Sequence, residues 1–225
     1  MLAMAGIELP RSFLQKLIDF ITFPVRAIAI FEDDRWGLSS LRSERFEIAV
    51  QETRGLTLDI GCGRGNVFIS QFLNGNGMGI DIYPYQGLSK ENLVSTFLPF
   101  PSDSGRYSSV TFIACLNHCP RSQRDAELHE AYRVLRPGGN VIITMGNPIA
   151  EILVHKLVRF YDRFLGTQVD MDSERGMSNE ESYYLTEGEI FERLSCAGFI
   201  GIRKRYLWTQ WFLNAVYTGT KPGML

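Results

Sequence analysis

Leu56 to Tyr83 reads LTLDIGCGRGNVFISQFLNGNGMGIDIY. Leu56 to Ile60 is an apolar run of the kind that forms a buried parallel strand, and it ends in three alternating glycines, Gly61, Gly63 and Gly65. Asn66 to Leu73 then gives a short apolar helix, stopped by the turn Asn74-Gly75-Asn76-Gly77. A second short strand, Met78 to Ile80, ends on Asp81. Strand, glycine loop, helix, strand and acid together make a nucleotide-binding βαβ unit. The glycines permit a sharp turn and a close approach of backbone to ligand, with free N–H groups expected at the helix start. An acid closing the second strand can accept both hydroxyl hydrogens of a ribose.

Spacing selects the nucleotide. A dinucleotide fingerprint G-x-G-x-x-G would need its third glycine at position 66, which is Asn66. The pattern here is G-x-G-x-G, preceded by Asp59. With Asp81 it resembles the first motif of the class I S-adenosylmethionine (SAM) dependent methyltransferases, (D/E)-x-G-x-G-x-G. Further along, Glu130 to Gly139 (EAYRVLRPGG) is similar to the E-x-x-R-V-L-x-P-G-G segment of the small-molecule branch of that family. The two motifs span about Leu56 to Met145. The resemblance implies a Rossmann-like, seven-stranded, mostly parallel sheet with helices on both faces and an antiparallel last strand. It also implies a SAM site at Asp59, Gly61, Cys62, Gly63, Gly65, Asp81, Ile82, Leu98, Cys115 and Asn117. The reaction implied is methyl transfer to a small-molecule acceptor, the acceptor atom being undetermined. The alternative is a SAM-binding protein that transfers nothing and acts as a regulatory or assembly partner.

Downstream of Asp81, Asn92 to Phe97 reads as a short third strand, followed by Leu98-Pro99-Phe100. Many relatives place an acid about four residues before that Leu-Pro-Phe, to accept from the adenine amino group. This chain has Val94 there, with Asn92, Ser95 and Thr96 nearby, so a hydroxyl or a backbone carbonyl would have to replace it. Tyr107 to Cys115 is a fourth strand ending in Leu116-Asn117-His118, and ligands of open α/β sheets sit outside such ends. Ser122, with Asp125 three residues on, opens a helix whose buried stripe is Ala126, Leu128, Ala131, Tyr132 and Leu135. Asn140 to Met145 is a fifth strand. Thr186 and Glu189 form a capping box for a helix stopped by Gly198, and Phe199–Tyr206 and Leu213–Gly219 read as a strand hairpin.

His118 is the candidate base, since imidazole is available in its neutral form near pH 7; the plainer reading has it closing a strand-to-helix turn. His129 lies on a polar helix face and His155 in the variable insertion.

Upstream, Ser12 to Phe31 contains a helical apolar stripe at Phe13, Leu14, Leu17, Ile18 and Ile21. Packing on the body of the protein is the preferred reading of that stripe, and membrane-surface contact through residues 12–31 the second. Lys16, Asp19, Arg26 and Pro24 argue against a spanning helix. Ser39 to Gln51 reads as another helix. The organisation expected is a helical cap (1–50), a SAM-binding core (51–145), a lid-like insertion (146–185) and a C-terminal helix and hairpin (186–225). Cap and insertion are expected to fold over the cleft and shape an acceptor pocket from Trp36, Arg42, Arg45, Tyr161, Tyr183 and Tyr184, with Arg42 or Arg45 near the SAM carboxylate.

At 225 residues, with 23 basic and 25 acidic side chains, the chain is long enough for a full core and lacks the basic excess of a nucleic-acid binder. Four scattered cysteines read as reduced thiols in a cytoplasmic protein, and Cys115-x3-Cys119 beside His118 is read as a strand end with no metal. Oligomeric state is not legible.

Overall fold

The computed structural model describes residues 10–223 apart from 30, 32, 97, 166–176 and 178–183. Among these residues six strands form one mixed sheet: β1 (Thr57–Ile60), β2 (Gly77–Ile80), β3 (Tyr107–Ile113), β4 (Leu135–Gly146), β5 (Ile200–Tyr206) and β6 (Asn214–Thr220), in the order β2-β1-β3-β4-β6-β5. The first four run parallel, and β6 inserts antiparallel between β4 and β5. Central strands are buried on both faces, which is why they read as continuous apolar runs. Successive residues of β4 serve opposite faces. Ile142 packs with Phe46, Ala49 and Phe68, while Val141 and Ile143 join Leu128, Ala131 and Leu194. Helices α2 (Leu41–Glu52), on one face, and α3 (Arg124–Val134) and α5 (Glu187–Cys196), on the other, supply those partners.

Among the described residues there is no seventh strand. Between Ile80 and Tyr107 the expected strand at 92–97 reduces to one bridge, Asp81 to Leu93, closed by Asp81 N–H to Asn92 O (2.8 Å) and Val94 N–H to Asp81 O (3.0 Å). Its few apolar residues give way to Ser95 and Thr96, and Pro99 and Pro101 follow without N–H donors, so no ladder can extend. Phe97 itself lies outside the described residues.

Three local expectations change. Helix α3 starts at Arg124 behind Gln123 with no side-chain cap, so the Ser122/Asp125 box does not form; the Asp125 carboxylate pairs with Arg193 instead. Its buried face is Arg124, Glu127, Leu128, Ala131 and Val134, and Ala126 is exposed. The insertion is not loop throughout. Pro148–Leu165 is an 18-residue helix, α4.

The third change concerns α1 (Phe13–Ile28), which is turned inside out relative to the packed stripe expected of it. Phe13, Leu14, Leu17, Ile21, Val25 and Ile28 are all exposed, while Asp19 and Arg26 are fully buried. Arg26 donates to the Glu44 carboxylate, to Ser39 O (2.7 Å) and to Asp19 O. Arg11 pairs with Asp19 (2.7 Å), Glu44 (3.4 Å) and Glu47, and Lys16 reaches Glu47 at 3.3 Å. Burial alone would lower the Arg11 guanidinium; Glu44, Glu47 and Asp19 more than offset it and hold the group above its ordinary value. Inward apolar residues complete the contact: Phe20 and Phe23 pack on Trp211 (ring centroids 6.2 and 5.8 Å), whose indole N–H donates to Phe20 O (2.8 Å).

Candidate active site

The glycine loop lies over the carboxyl ends of β1 and β2, as open α/β sheets place their ligand crevices. Gly61 (φ 69°) and Gly63 (φ 63°) adopt left-handed conformations. A side chain on Gly61 would come within 2.3 Å of Cys115 Sγ, whereas one on Gly63 would meet nothing within 4 Å. Gly61 is needed for packing of the loop on Cys115, just after β3, and Gly63 keeps an open approach to the backbone. The loop amides are not free, contrary to expectation. Gly61 and Cys62 N–H donate to Ile80 O, Gly65 N–H to Gln86 O and Gly63 N–H to Asp81 Oδ2 (2.9 Å). The helix that follows is a single tight turn, Arg64–Asn66, and a π-type turn, Phe68–Phe72, anchored by buried Phe68 and Ile69.

Asp81 is buried, and both of its oxygens are fixed by backbone: Oδ2 by Gly63 N–H and Oδ1 by Tyr83 N–H (3.0 Å). Each oxygen keeps a further lone pair. The carboxylate faces a cleft of about 280 Å³ whose walls also include Gly61, Gly63, Ile82, Cys115 and His118. Asp59 stands behind the loop instead. It is buried and accepts from Thr111 Oγ1 at 2.6 Å, and burial, with a smaller push from Asp81, raises its carboxyl to about 7.

Of the other residues expected at the site, Cys62, Gly65, Leu98 and Asn117 do not line the cleft. Leu98 packs on the main core. Burial pushes the Cys62 thiol far up, so it is a neutral packing group. Asn117 is buried and donates to Glu151 Oε2 (3.1 Å) on the first turn of α4. His118 and His155 lie with ring centroids 5.5 Å apart, which brings α4 to the cleft rim.

The acceptor residues expected from cap and insertion are scattered. Trp36 is 83% exposed against Phe31, Arg42 is paired with Asp33, and the Tyr161 hydroxyl donates to Ile28 O (2.7 Å). Tyr184 borders a separate depression with Arg121 and Arg124, and Tyr183 lies outside the described residues. Arg45 does not line the cleft either. Burial lowers its guanidinium, Glu151 and Glu44 partly compensate, and its buried Nε has no partner.

Sequence reasoning missed Glu127. It sits on the apolar face of α3, fully buried, and reaches the cleft wall. Cys119 Sγ donates to its Oε2 (3.0 Å), and Oε1 has no partner. Burial raises its carboxyl to about 7, while the Cys119 bond and Arg124 pull the other way. The signal was available: Arg124 and Glu127 share the stripe of Leu128 and Ala131, three and four residues apart. With a folded value near 7 and an ordinary value of 4.5, the unfolded chain loses this proton first as pH rises. Glu127 therefore favours the fold fully below pH 4.5, and that contribution is lost as pH rises through 7. Glu127→Gln should flatten the fall in stability between pH 5 and pH 8 by about 2–3 kcal/mol, read by denaturant unfolding at the two pH values. An unchanged pH profile would place the ionisation elsewhere.

Among the described residues, no group of three or more His, Cys, Asp or Glu is arranged to hold a metal, and no helix is long and apolar enough to cross a membrane.

A mostly parallel sheet with an antiparallel strand inserted near one edge, an acid-glycine loop after β1 and an acid after β2 define a class I SAM-dependent methyltransferase fold. Residues 58–143, less than half of the chain, match the family model described as a methyltransferase domain, a likeness that points to SAM as the cofactor. Curated protein sequences give no significant match. Among solved structures, a chain of the Haloferax volcanii complex between the Trm112 methyltransferase activator and a methyltransferase superposes with a TM-score of 0.60 at 13% identity, over 92% of this chain and 98% of that one. The Burkholderia thailandensis 1,6-didemethyltoxoflavin-N1-methyltransferase, with bound 1,6-didemethyltoxoflavin and S-adenosylhomocysteine, gives 0.55 at 16% identity, over 96% and 93%. The [4+2]-cyclase SpnF gives 0.56 at 15% identity, over 94% and 96%. At these identities the likeness is one of fold.

Proposed function

We propose that this chain transfers the methyl group of SAM to a small-molecule acceptor in the cleft between Asp81 and His118. The observation that carries the reading is the Asp81 carboxylate, locked by the amides of Gly63 and Tyr83 with lone pairs turned to an open cleft. That is the acceptor geometry a ribose diol requires, its two hydroxyls donating to the free lone pairs. SAM supplies a methyl group on a positively charged sulfur, already a strong leaving group. The protein's part is alignment and exclusion of water, with proton removal where the acceptor carries a proton.

In this reading Gly61 and Gly63 admit the methionine portion, Ile82 packs on the adenine, and Ser95 and Thr96, both on the cleft wall, take the place of the acid that Val94 lacks. Arg42 is occupied by Asp33, and neither it nor Arg45 lines the cleft, so the backbone of the glycine loop is left to meet the SAM carboxylate. Asp59 and Asn117 act from behind, by fixing the loop and the turn 116–118.

His118 is the group placed to take an acceptor proton. If the acceptor is a hydroxyl or another protonated group, His118→Ala should lower turnover by about 10²-fold with SAM affinity unchanged. Rates of S-adenosylhomocysteine formation, with calorimetry of SAM on the same samples, check this. A variant altered only in thermal stability would make His118 a turn residue and leave catalysis to alignment. The second reading, a SAM-binding protein without transfer, is kept open by the occurrence of the fold in a [4+2]-cyclase.

A further inference from the structure

Every exposed residue of α1 is apolar, because its charged side chains point inward to the buried cluster of Arg11, Arg26, Asp19, Glu44 and Glu47. An apolar face this continuous is rare on a surface that meets only water. The Tyr161 hydroxyl donates to Ile28 O and so ties α4 to the carboxyl end of α1, and α4 carries an exposed apolar stripe of its own. Leu153, Phe160 and Phe164 are 57, 52 and 66% exposed on it. Lys156, Arg159 and Arg163 are exposed beside them, whereas Glu151 is half-buried with its carboxylate on Gly146 N–H and Asn117, and Asp162 is half-buried. The exposed charge on α4 is therefore all positive. Long cationic side chains lying among apolar ones on an amphipathic helix suit the boundary between acyl chains and headgroups.

We propose that the outer faces of α1 and α4 dock the protein on the surface of a bilayer carrying anionic headgroups. The apolar stripe supplies burial, and Lys156 and Arg163 supply selection for negative lipid. A second copy of the chain is a poorer occupant, since a twofold contact through this face would bring the same cations to one interface. Neither helix spans: among the described residues none is long and apolar enough.

The test is flotation of the full chain with vesicles of phosphatidylcholine alone and of phosphatidylcholine with phosphatidylglycerol. Binding is expected to the anionic vesicles and weakly, if at all, to the neutral ones. Leu17→Glu with Ile21→Glu, at positions already in solvent, and separately Lys156→Glu with Arg163→Glu, should each lower binding by about ten-fold or more. Affinity for SAM, measured on the same proteins, should be retained, which reports that they are folded. Three results would overturn the proposal: no flotation of the unmodified chain, equal binding to both vesicles, or anionic binding that both double variants retain. Dimerisation without vesicle binding, abolished by Ile21→Glu in sedimentation, would assign the face to a second copy instead.

Discussion

Asp81→Ala is expected to weaken SAM binding by roughly ten- to a hundred-fold while the protein stays folded. The side chain is buried at the end of β2, and its oxygens accept from Gly63 and Tyr83 amides. Removing a charged, buried acceptor from a hydrogen bond to a ligand costs on the order of 1.5–3 kcal/mol. The ribose diol would lose a bidentate partner that no neighbour can replace, because Asp59 is turned to Thr111. The two freed amides open toward the cleft, where water can satisfy them, so the fold should survive. Asp81→Asn separates charge from shape, since it keeps the acceptor oxygen that Gly63 or Tyr83 uses and should fall between the two. Calorimetry showing unchanged affinity in folded Asp81→Ala would remove Asp81 from the cofactor site.

Arg26→Met should be the most destabilising of the substitutions considered, at about 3–5 kcal/mol, the usual cost of removing one partner from a buried ionic cluster. Arg26 is fully buried and is the link between α1, through Asp19 O, and α2, through Glu44. Methionine is close in length but leaves Glu44 with Arg11 at 3.4 Å and Thr209, and leaves Ser39 O without its donor. Denaturant unfolding gives the loss directly. A change below about 1 kcal/mol would mean that the cluster is held by solvent rather than by this guanidinium.

Legibility followed the range of the interactions. The glycine loop, Asp81 and the capping box of α5 depend on residues within a few positions of one another, and their spacing alone exposes them. The structure brings Gly61, Gly63, Asp81, Ile82, Cys115 and His118 to one cleft because strand ends at one edge of a parallel sheet converge there. The orientation of α1 was not legible. A period of 3.6 shows that a helix has an apolar stripe, yet says nothing about which side meets the protein. That side was decided by Glu44 and Glu47, which lie 18 and 36 residues beyond Arg26 and Arg11, the arginines they pair with. Glu127 was hidden by the same assumption, that a charged residue on a helix faces water; a buried Arg124 and a cysteine thiol make the opposite tolerable. The strand expected at 92–97 shrinks to one bridge because β2 offers only four residues to pair with, Ser95 and Thr96 interrupt its apolar run, and Pro99 and Pro101 follow without ladder donors.

Transfer of labelled methyl from SAM tests the account most directly. Purified protein is incubated with methyl-labelled SAM and a metabolite extract separated into polar small-molecule, lipid, protein and nucleic-acid fractions. The account predicts label in a low-molecular-weight product, polar or lipid, with matching S-adenosylhomocysteine, and loss of both with Asp81→Ala. Tight SAM binding with no labelled product in any fraction, or label confined to protein or nucleic acid, would contradict it.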